Sequence, residues 1–220
     1  MSYQAPLRDM RFVLHELFDV SAHCQLLGNG LDRELIDGVL EEAASFTANE
    51  IAPLNRNSDE EGCRLENGQV STPRGFRAAY RQYVDNGWAS MTGPLEFGGQ
   101  GFPQLVACTF HEMLMSASLS FRVYSGLTEG AVLALHRHGS AELKNTYLAP
   151  MVSGQWTGTM CLTEPRPAPT WPCCALAPSP RPTAATGSAA ARSLSAAGNK
   201  TSARTSFTWC WPACRMHRPG

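Results

Sequence analysis

The feature that most constrains this chain is an abrupt change of composition after Pro165. All 19 Asp and Glu residues lie within residues 1–165, which carry a net charge of −8. Residues 166–220 hold seven Lys and Arg, no acidic residue and eight of the 15 Pro, for a net charge of +7. Such a Pro-, Ala-, Ser- and Arg-rich segment buries little apolar surface, so we predict a folded region 1–165 followed by a disordered tail.

Residues 1–155 are predicted to be mainly α-helical. Apolar residues recur there every three or four positions, the spacing that lines one face of a helix. Pro53 is predicted to end the first long helix, Thr72 to cap the second before Pro73, and Ser140 to cap a shorter one. The long helices are predicted near residues 35–51, 72–87, 105–117 and 121–138.

A first β-strand is predicted to follow the helices. Gln155–Leu162 contains a Trp and two Thr and alternates apolar with polar residues, as strands do. The predicted organisation is therefore a helical N-terminal domain at 1–155, the first strand of a truncated β-domain at 156–165, and the disordered tail at 166–220.

Charge and hydropathy exclude several classes of partner. The net charge of −1 over the whole chain gives no basic surface for nucleic acid. No apolar run approaches the roughly 18 residues of a membrane span, and Arg8 and Asp9 interrupt the apolar N-terminus, unlike a signal peptide. We expect no nucleic-acid or membrane partner and a cytoplasmic location, where the eight Cys stay reduced.

No metal site is predicted. His111 and Glu112 begin a pattern typical of zinc peptidases, but Met115 stands where the second His would be required. An ordinary position on an amphipathic helix is the better interpretation of His111. The four Cys of the tail lack the paired spacing of zinc sites.

A glycine-rich loop, Pro94–Phe102, separates two of the predicted helices. Its glycines permit a tight turn or a close approach of the backbone to a ligand. No predicted strand precedes the loop, so it does not meet the conditions of a dinucleotide-binding fingerprint. Taken alone, an inter-helix turn is the simpler interpretation.

The order of these motifs resembles the acyl-CoA dehydrogenase family. In that family a glycine loop is followed by a helix end and a strand that closes on a Thr-Glu-Pro sequence, as Thr157–Pro165 does here. The opening of the chain is similar to the longer bacterial branch that includes 3-methylmercaptopropionyl-CoA dehydrogenase. The residues that match the family pattern are Gly139, Lys144, Tyr147, Leu148, Pro150, Gly154, Leu162, Thr163, Glu164 and Pro165.

This resemblance implies an FAD-dependent oxidation of the α,β C–C bond of an acyl-CoA thioester. A Glu would remove the α-proton, and the flavin would accept the β-hydrogen as a hydride. The resemblance also implies a middle β-domain, a C-terminal helical bundle, an electron-transfer flavoprotein as partner and a homo-oligomer at full length. Two alternatives stay open, a related acyl-CoA oxidase and a helical interaction module without catalysis.

The resemblance places candidate ligand-binding residues in two segments. The cofactor-binding residues are predicted to be Met160, Cys161, Leu162 and Thr163, and the substrate-binding residues Phe97, Gly98 and Gly99. The catalytic Glu of the family belongs to the C-terminal bundle. No catalytic residue is therefore assigned in this chain, and it is expected to be inactive on its own.

The family pattern stops at Pro165. Where the family continues with x-Ala-Gly-(Ser/Thr)-Asp, this chain reads Arg166–Thr170. Back-translation read one nucleotide earlier restores Gln-Ala-Gly-Thr-Asp, followed by a pattern typical of the family's β-domain. The sequence therefore indicates that one nucleotide was lost near codon 166, either in the gene or in its sequencing, and that the tail is written in the wrong frame.

Overall fold

The structure, a computed structural model, describes residues 3–28, 30–67 and 69–160 and the backbone of 205–209. For Met160 it describes the backbone, as the last residue of a strand. The predicted cofactor residues Cys161, Leu162 and Thr163 lie outside the described residues, as does most of the predicted tail.

Helices make up most of the described chain, which confirms the mainly α fold class. They are α1 (Leu7–Arg11), α2 (Val20–Leu26), α3 (Arg33–Phe46), α4 (Leu54–Glu61), α5 (Phe76–Asp85), α6 (Gln104–Ala117), α7 (Leu119–His138) and α8 (Ala141–Val152). π-helical turns at Phe12–Leu17 and Thr47–Ile51 follow α1 and α3, and Trp88–Ser90 and Leu95–Phe97 are 3-10 turns. None of these described helices is long and apolar enough to cross a membrane.

The observed helices differ from the predicted ones at two places. The first long helix ends at Ile51, before Pro53, as predicted, but a further helix that the sequence did not predict, α4, begins at Leu54, because Pro is tolerated at the start of a helix. The predicted cap at Thr72 is wrong. Helix α5 begins at Phe76, after Gly75 adopts a φ of +89° that favours glycine.

Side-chain caps begin two other helices, and one of these caps was predicted from the sequence. The Ser140 side chain accepts a hydrogen bond from Leu143 N at 3.3 Å, which confirms the predicted cap of α8. Asp32 does the same for α3, accepting from Leu35 N at 2.8 Å. Both caps satisfy amide groups that the first helical turn leaves without intrahelical partners.

The hydrophobic core consists of two clusters. The larger one joins α1 to α6 and the start of α7 and contains an aromatic group in which the rings of Trp88 and Phe110 lie 4.6 Å apart and those of Tyr83 and Phe121 5.8 Å apart. The smaller cluster lies between α7 and α8. Its buried members are Ala131, Leu135, Leu148 and Met151.

Four short strands complete the described chain. Strands β1 (Arg64–Glu66) and β2 (Gln69–Ser71) form an exposed antiparallel hairpin. Strand β3 (Trp156–Met160) occupies the predicted position and pairs in parallel with β4 (Thr205–Trp209), in the register Trp156 to Thr205. The sequence predicts disorder around β4. The Thr, Phe and Trp residues of this stretch favour extended pairing, which accounts for a strand there.

Candidate functional site

The glycine loop folds back on the segment before it. Gln100 N donates to Ser90 O at 2.9 Å, Gly101 N to Gly93 O at 3.0 Å, and Phe102 N to Met91 O at 2.9 Å. These bonds satisfy the backbone of a loop that would otherwise require water. The loop is thus a fixed element of the fold rather than an open turn.

The two glycines predicted to contact substrate differ in their surroundings. Gly98 has a φ of +82°, and a Cβ placed on it would meet no atom within 4 Å. A Cβ on Gly99 would lie 2.1 Å from both the carbonyl carbon and oxygen of Gly93. Gly99 is therefore required for close packing of the loop on itself, whereas Gly98 is the position that faces open space.

Phe97 fixes the tip of the glycine loop to the end of α7. Its side chain packs, partly buried, against the smaller core cluster, and its ring centroid lies 6.3 Å from that of His136. His136 Nε2 also lies 3.0 Å from Glu96 Oε1. The substrate-side segment predicted from the sequence is thus held on α7 by one apolar and one polar contact.

Strand β3 lies against the same helices. Gly158 N donates to Thr128 Oγ1 at 3.1 Å, and a Cβ on Gly158 would lie 2.6 Å from Ala131 Cβ. Trp156 packs against the smaller cluster, with its ring centroid 5.8 Å from that of Tyr147. The strand that leads to Met160 is therefore seated on α7 and α8.

The two predicted ligand-binding segments share one support. Phe97 from the glycine loop and Trp156 from β3 both pack against the cluster formed by Ala131, Leu135, Leu148 and Met151. The structure thus packs the loop and the strand against the same cluster between α7 and α8. Among the predicted cofactor residues, the structure describes the backbone of Met160. The next three, Cys161, Leu162 and Thr163, lie outside the described chain.

Strand β3 also carries two polar groups that need a partner. The side chains of Thr157 and Thr159 are buried, and neither hydroxyl has a hydrogen-bond partner within the described part of the chain. A buried hydroxyl without a partner costs free energy, and a polar ring system at this strand would supply one. In this respect the residues before Met160 fit a bound flavin.

A charged cluster centred on α7 was not predicted from the sequence. Glu129 lies 3.0 Å from Arg122 and 3.3 Å from His111, and it accepts a hydrogen bond from Tyr83 OH at 3.5 Å. Burial first, and then the Glu129 charge, raise the pKa of Tyr83 far above its usual value. The spacing of seven residues between Arg122 and Glu129 places both on one helix face, and this spacing was the sequence signal for the pair.

Ion pairing accounts for the side chains of this cluster. His111, which a zinc pattern would have used, is paired with Glu129 instead. In the part of the chain that the structure describes, no three His, Cys, Asp or Glu side chains are placed to hold a metal ion. The arrangement joins α5, α6 and α7 through one carboxylate, which is a structural role.

A groove of about 680 Å³ opens between α3, α5 and the glycine loop. Trp88 and Phe102 contribute aromatic surface to it, while Glu34, Glu42 and Glu50 line it with carboxylates. These acidic groups would repel the phosphates of a CoA thioester. The groove is therefore not assigned to the substrate.

Comparison with known proteins gives the same family for the described region. The model of the family described as acyl-CoA dehydrogenase, N-terminal domain, matches residues 36–155. 3-Methylmercaptopropionyl-CoA dehydrogenase of Ruegeria pomeroyi is 43% identical over 168 residues, which is 76% of this chain and 28% of that protein. A butyryl-CoA dehydrogenase of Syntrophomonas wolfei is 30% identical over 169 residues, covering 74% of this chain and 28% of that protein.

A solved structure supports the fold. The crystal structure of glutaryl-CoA dehydrogenase from Mycobacterium smegmatis aligns with a TM-score of 0.50 and 22% identity, covering 61% of this chain and 32% of that one. This chain spans 28% of the length of each of the two relatives named above. Because the family model covers more than half of the chain, this protein belongs to the acyl-CoA dehydrogenase family.

Proposed function

We propose that residues 1–165 are the N-terminal part of an FAD-dependent acyl-CoA dehydrogenase. The reaction would be the α,β-oxidation of an acyl-CoA thioester, and the relatives named as dehydrogenases of two acyl-CoA compounds support this proposal. The observation that carries the proposal is the common support of Phe97 and Trp156 on the α7–α8 cluster. Through it, a substrate-side loop and a cofactor-side strand keep a fixed separation, as a reaction between two bound molecules requires.

Each segment has a separate task in this proposal. Met160–Thr163 would lie along the flavin, with the Thr163 hydroxyl and the strand backbone near its polar edge. Phe97 and Gly98 would border the acyl chain, and Gly99 would keep the loop closed on Gly93. When bound, FAD supplies the acceptor for the β-hydrogen.

The proton chemistry is assigned to no residue of this chain. Removal of the α-proton needs a carboxylate within hydrogen-bond reach of that carbon's hydrogen. Glu129 is engaged by Arg122 and His111, and Glu96 lies beside His136, so neither carboxylate is proposed as the base. We place the base beyond Pro165 in the full-length protein, and we infer that the chain as written is inactive on its own.

The tail is proposed to arise from a change of reading frame. Loss of one nucleotide near codon 166 would convert the family's Gln-Ala-Gly-Thr-Asp into Arg166–Thr170 and remove every later acidic residue. Sequencing the locus tests this directly, and we expect the extra nucleotide or an open frame that continues the family pattern. An intact frame that codes for the written tail would overturn this part of the proposal.

A comparison of the written and the restored-frame proteins tests the activity. The restored protein is expected to purify with FAD and to oxidise acyl-CoA with an electron-transfer flavoprotein as acceptor, whereas the written chain should show no turnover. Rapid oxygen consumption would instead assign it to the acyl-CoA oxidases. A restored protein without flavin absorbance would favour a helical interaction module. A cytoplasmic location and a homo-oligomeric state belong to the same proposal.

A further inference from the structure

The hydrogen bond between Thr128 and Gly158 joins a helix side chain to the backbone of a strand 30 residues away. Thr128 lies in α7, and its Oγ1 accepts from Gly158 N at 3.1 Å. Gly158 is the central residue of β3, two positions before Met160. The contact therefore acts on the strand directly beside the predicted cofactor segment.

Thr128 is used differently from other threonines near helices of this fold. Thr47, Thr109 and Thr146 each donate their hydroxyl to the carbonyl four residues earlier, the local bond that such residues usually make in helices. The Thr128 hydroxyl instead accepts from β3. This bond links two elements, so its loss affects their relative position and not only the helix.

Close packing at Gly158 gives the strand a second point of attachment. A Cβ on this residue would lie 2.6 Å from Ala131 Cβ and 3.3 Å from both Thr128 Cα and Met151 Cε. The strand backbone thus rests directly on α7, one turn away from the Thr128 hydroxyl. A hydrogen bond and a steric stop together fix both the distance and the direction of β3 relative to the helix.

We propose that Thr128 is the positioning residue that fixes β3 on α7 and so positions the strand backbone up to Met160, where the predicted cofactor segment begins. The part that concerns the cofactor rests on the proposed function. Support of this kind determines how precisely a binding residue is held, because the first residues around a ligand depend on the packing and hydrogen bonds behind them.

Three variants separate positioning from general stability. Thr128→Val keeps the shape of the side chain and removes the acceptor, whereas Thr128→Ser keeps the hydroxyl. Thr109→Val is the matched control, because Thr109 is a buried helical threonine whose hydroxyl makes a local bond within α6. The full chain is used for each variant, and hydrogen exchange is measured at the Gly158 amide under native conditions.

The Thr128→Val variant is expected to raise the exchange rate at Gly158 by about tenfold, the effect of losing one partly buried hydrogen bond. Thr128→Ser and Thr109→Val should stay within about twofold of the wild type. Unchanged exchange in Thr128→Val, or an equal increase in Thr109→Val, would overturn the proposal.

Titration with FAD provides the second measurement. In the restored-frame protein, Thr128→Val should raise the dissociation constant for FAD about tenfold relative to Thr109→Val and alter the flavin absorbance band, and Thr128→Ser should restore both. Equal affinity and spectra in all variants would overturn the positioning role. If the restored-frame wild type binds no FAD, the cofactor assignment fails, while exchange at Gly158 still decides whether Thr128 fixes the strand.

Discussion

The guanidinium group of Arg122 pairs with Glu129 through two contacts along the face of α7. Its Nη2 lies 3.0 Å from Glu129 Oε2, and its Nη1 lies 3.3 Å from Oε1. To reach across two turns, the Arg122 side chain passes over Gly126, where a Cβ would lie 1.9 Å from Nη1. His111 then approaches the same carboxylate from α6.

Replacement of Glu129 by Gln should destabilise the fold by about 2 kcal/mol, because it leaves the largely buried Arg122 without a counter-charge. Urea unfolding at neutral pH measures this difference. Glu60→Gln is the control, since Glu60 pairs with Arg56 on the exposed surface of α4, and should cost at most about 0.5 kcal/mol. Equal effects of the two substitutions would contradict a structural role for Glu129.

Two glycines of α7 provide a test of the Arg122 path. Gly130→Ala should stabilise the protein by about 0.7 kcal/mol, because Ala is the better helix former and its Cβ would meet nothing within 4 Å. Gly126→Ala gains the same helix propensity, but its Cβ displaces Arg122 from Glu129. This variant should therefore be at least about 1 kcal/mol less stable than Gly130→Ala. Thermal unfolding of both variants gives the comparison. Equal stability would mean that Arg122 pairs with Glu129 by another path.

Local sequence signals predicted much of the helical layer. Apolar spacing and a capping hydroxyl depend on residues close in the chain, so α7 and the Ser140 cap of α8 could be found without the structure. Helix α4 was missed because its residues are mostly polar, and Thr72 misled because α5 begins only after Gly75. Helix propensity favours some helix boundaries over others, but tertiary packing determines where each helix begins and ends.

The candidate site was only partly readable for a different reason. The family pattern located Phe97 and Met160 along the chain. Their common support depends on contacts between segments far apart in sequence, such as Thr128 with Gly158. A lone Thr within a helix carries no signal that distinguishes a bond to a distant strand from the usual local bond.

The glycine loop allows its two predicted substrate-side glycines to be separated by experiment. Gly99→Ala should cost about 3 kcal/mol or more, since its Cβ would overlap the Gly93 backbone, which cannot move as a side chain can. Gly98→Ala should cost about 1 kcal/mol, the strain of a positive φ without a clash. Urea midpoints measure both. A Gly98 variant as unstable as the Gly99 variant would contradict this assignment.

Asp37 gives the fold a defined response to acid. Burial acts to raise the pKa of this carboxyl, but the hydrogen bonds and charges of His15 and Arg11 outweigh it, so the pKa lies below its usual value of 3.8. The folded state then binds fewer protons than the unfolded state near that pH. The stability from Asp37 is complete above about pH 5 and is lost as the pH falls through the lowered pKa.

Asp37→Asn should therefore be less stable than the wild type at pH 7, and the difference should narrow as the pH falls below about 4. The measurement is the free energy of unfolding in urea between pH 7 and pH 2.5. Asp59→Asn makes the same chemical change at an exposed carboxyl on α4. For this control, the free energy of unfolding should depend on pH as steeply as it does in the wild type. Profiles of Asp37→Asn and the wild type that stay parallel down to the lowest pH would show that the contacts of Asp37 with His15 and Arg11 do not contribute to stability.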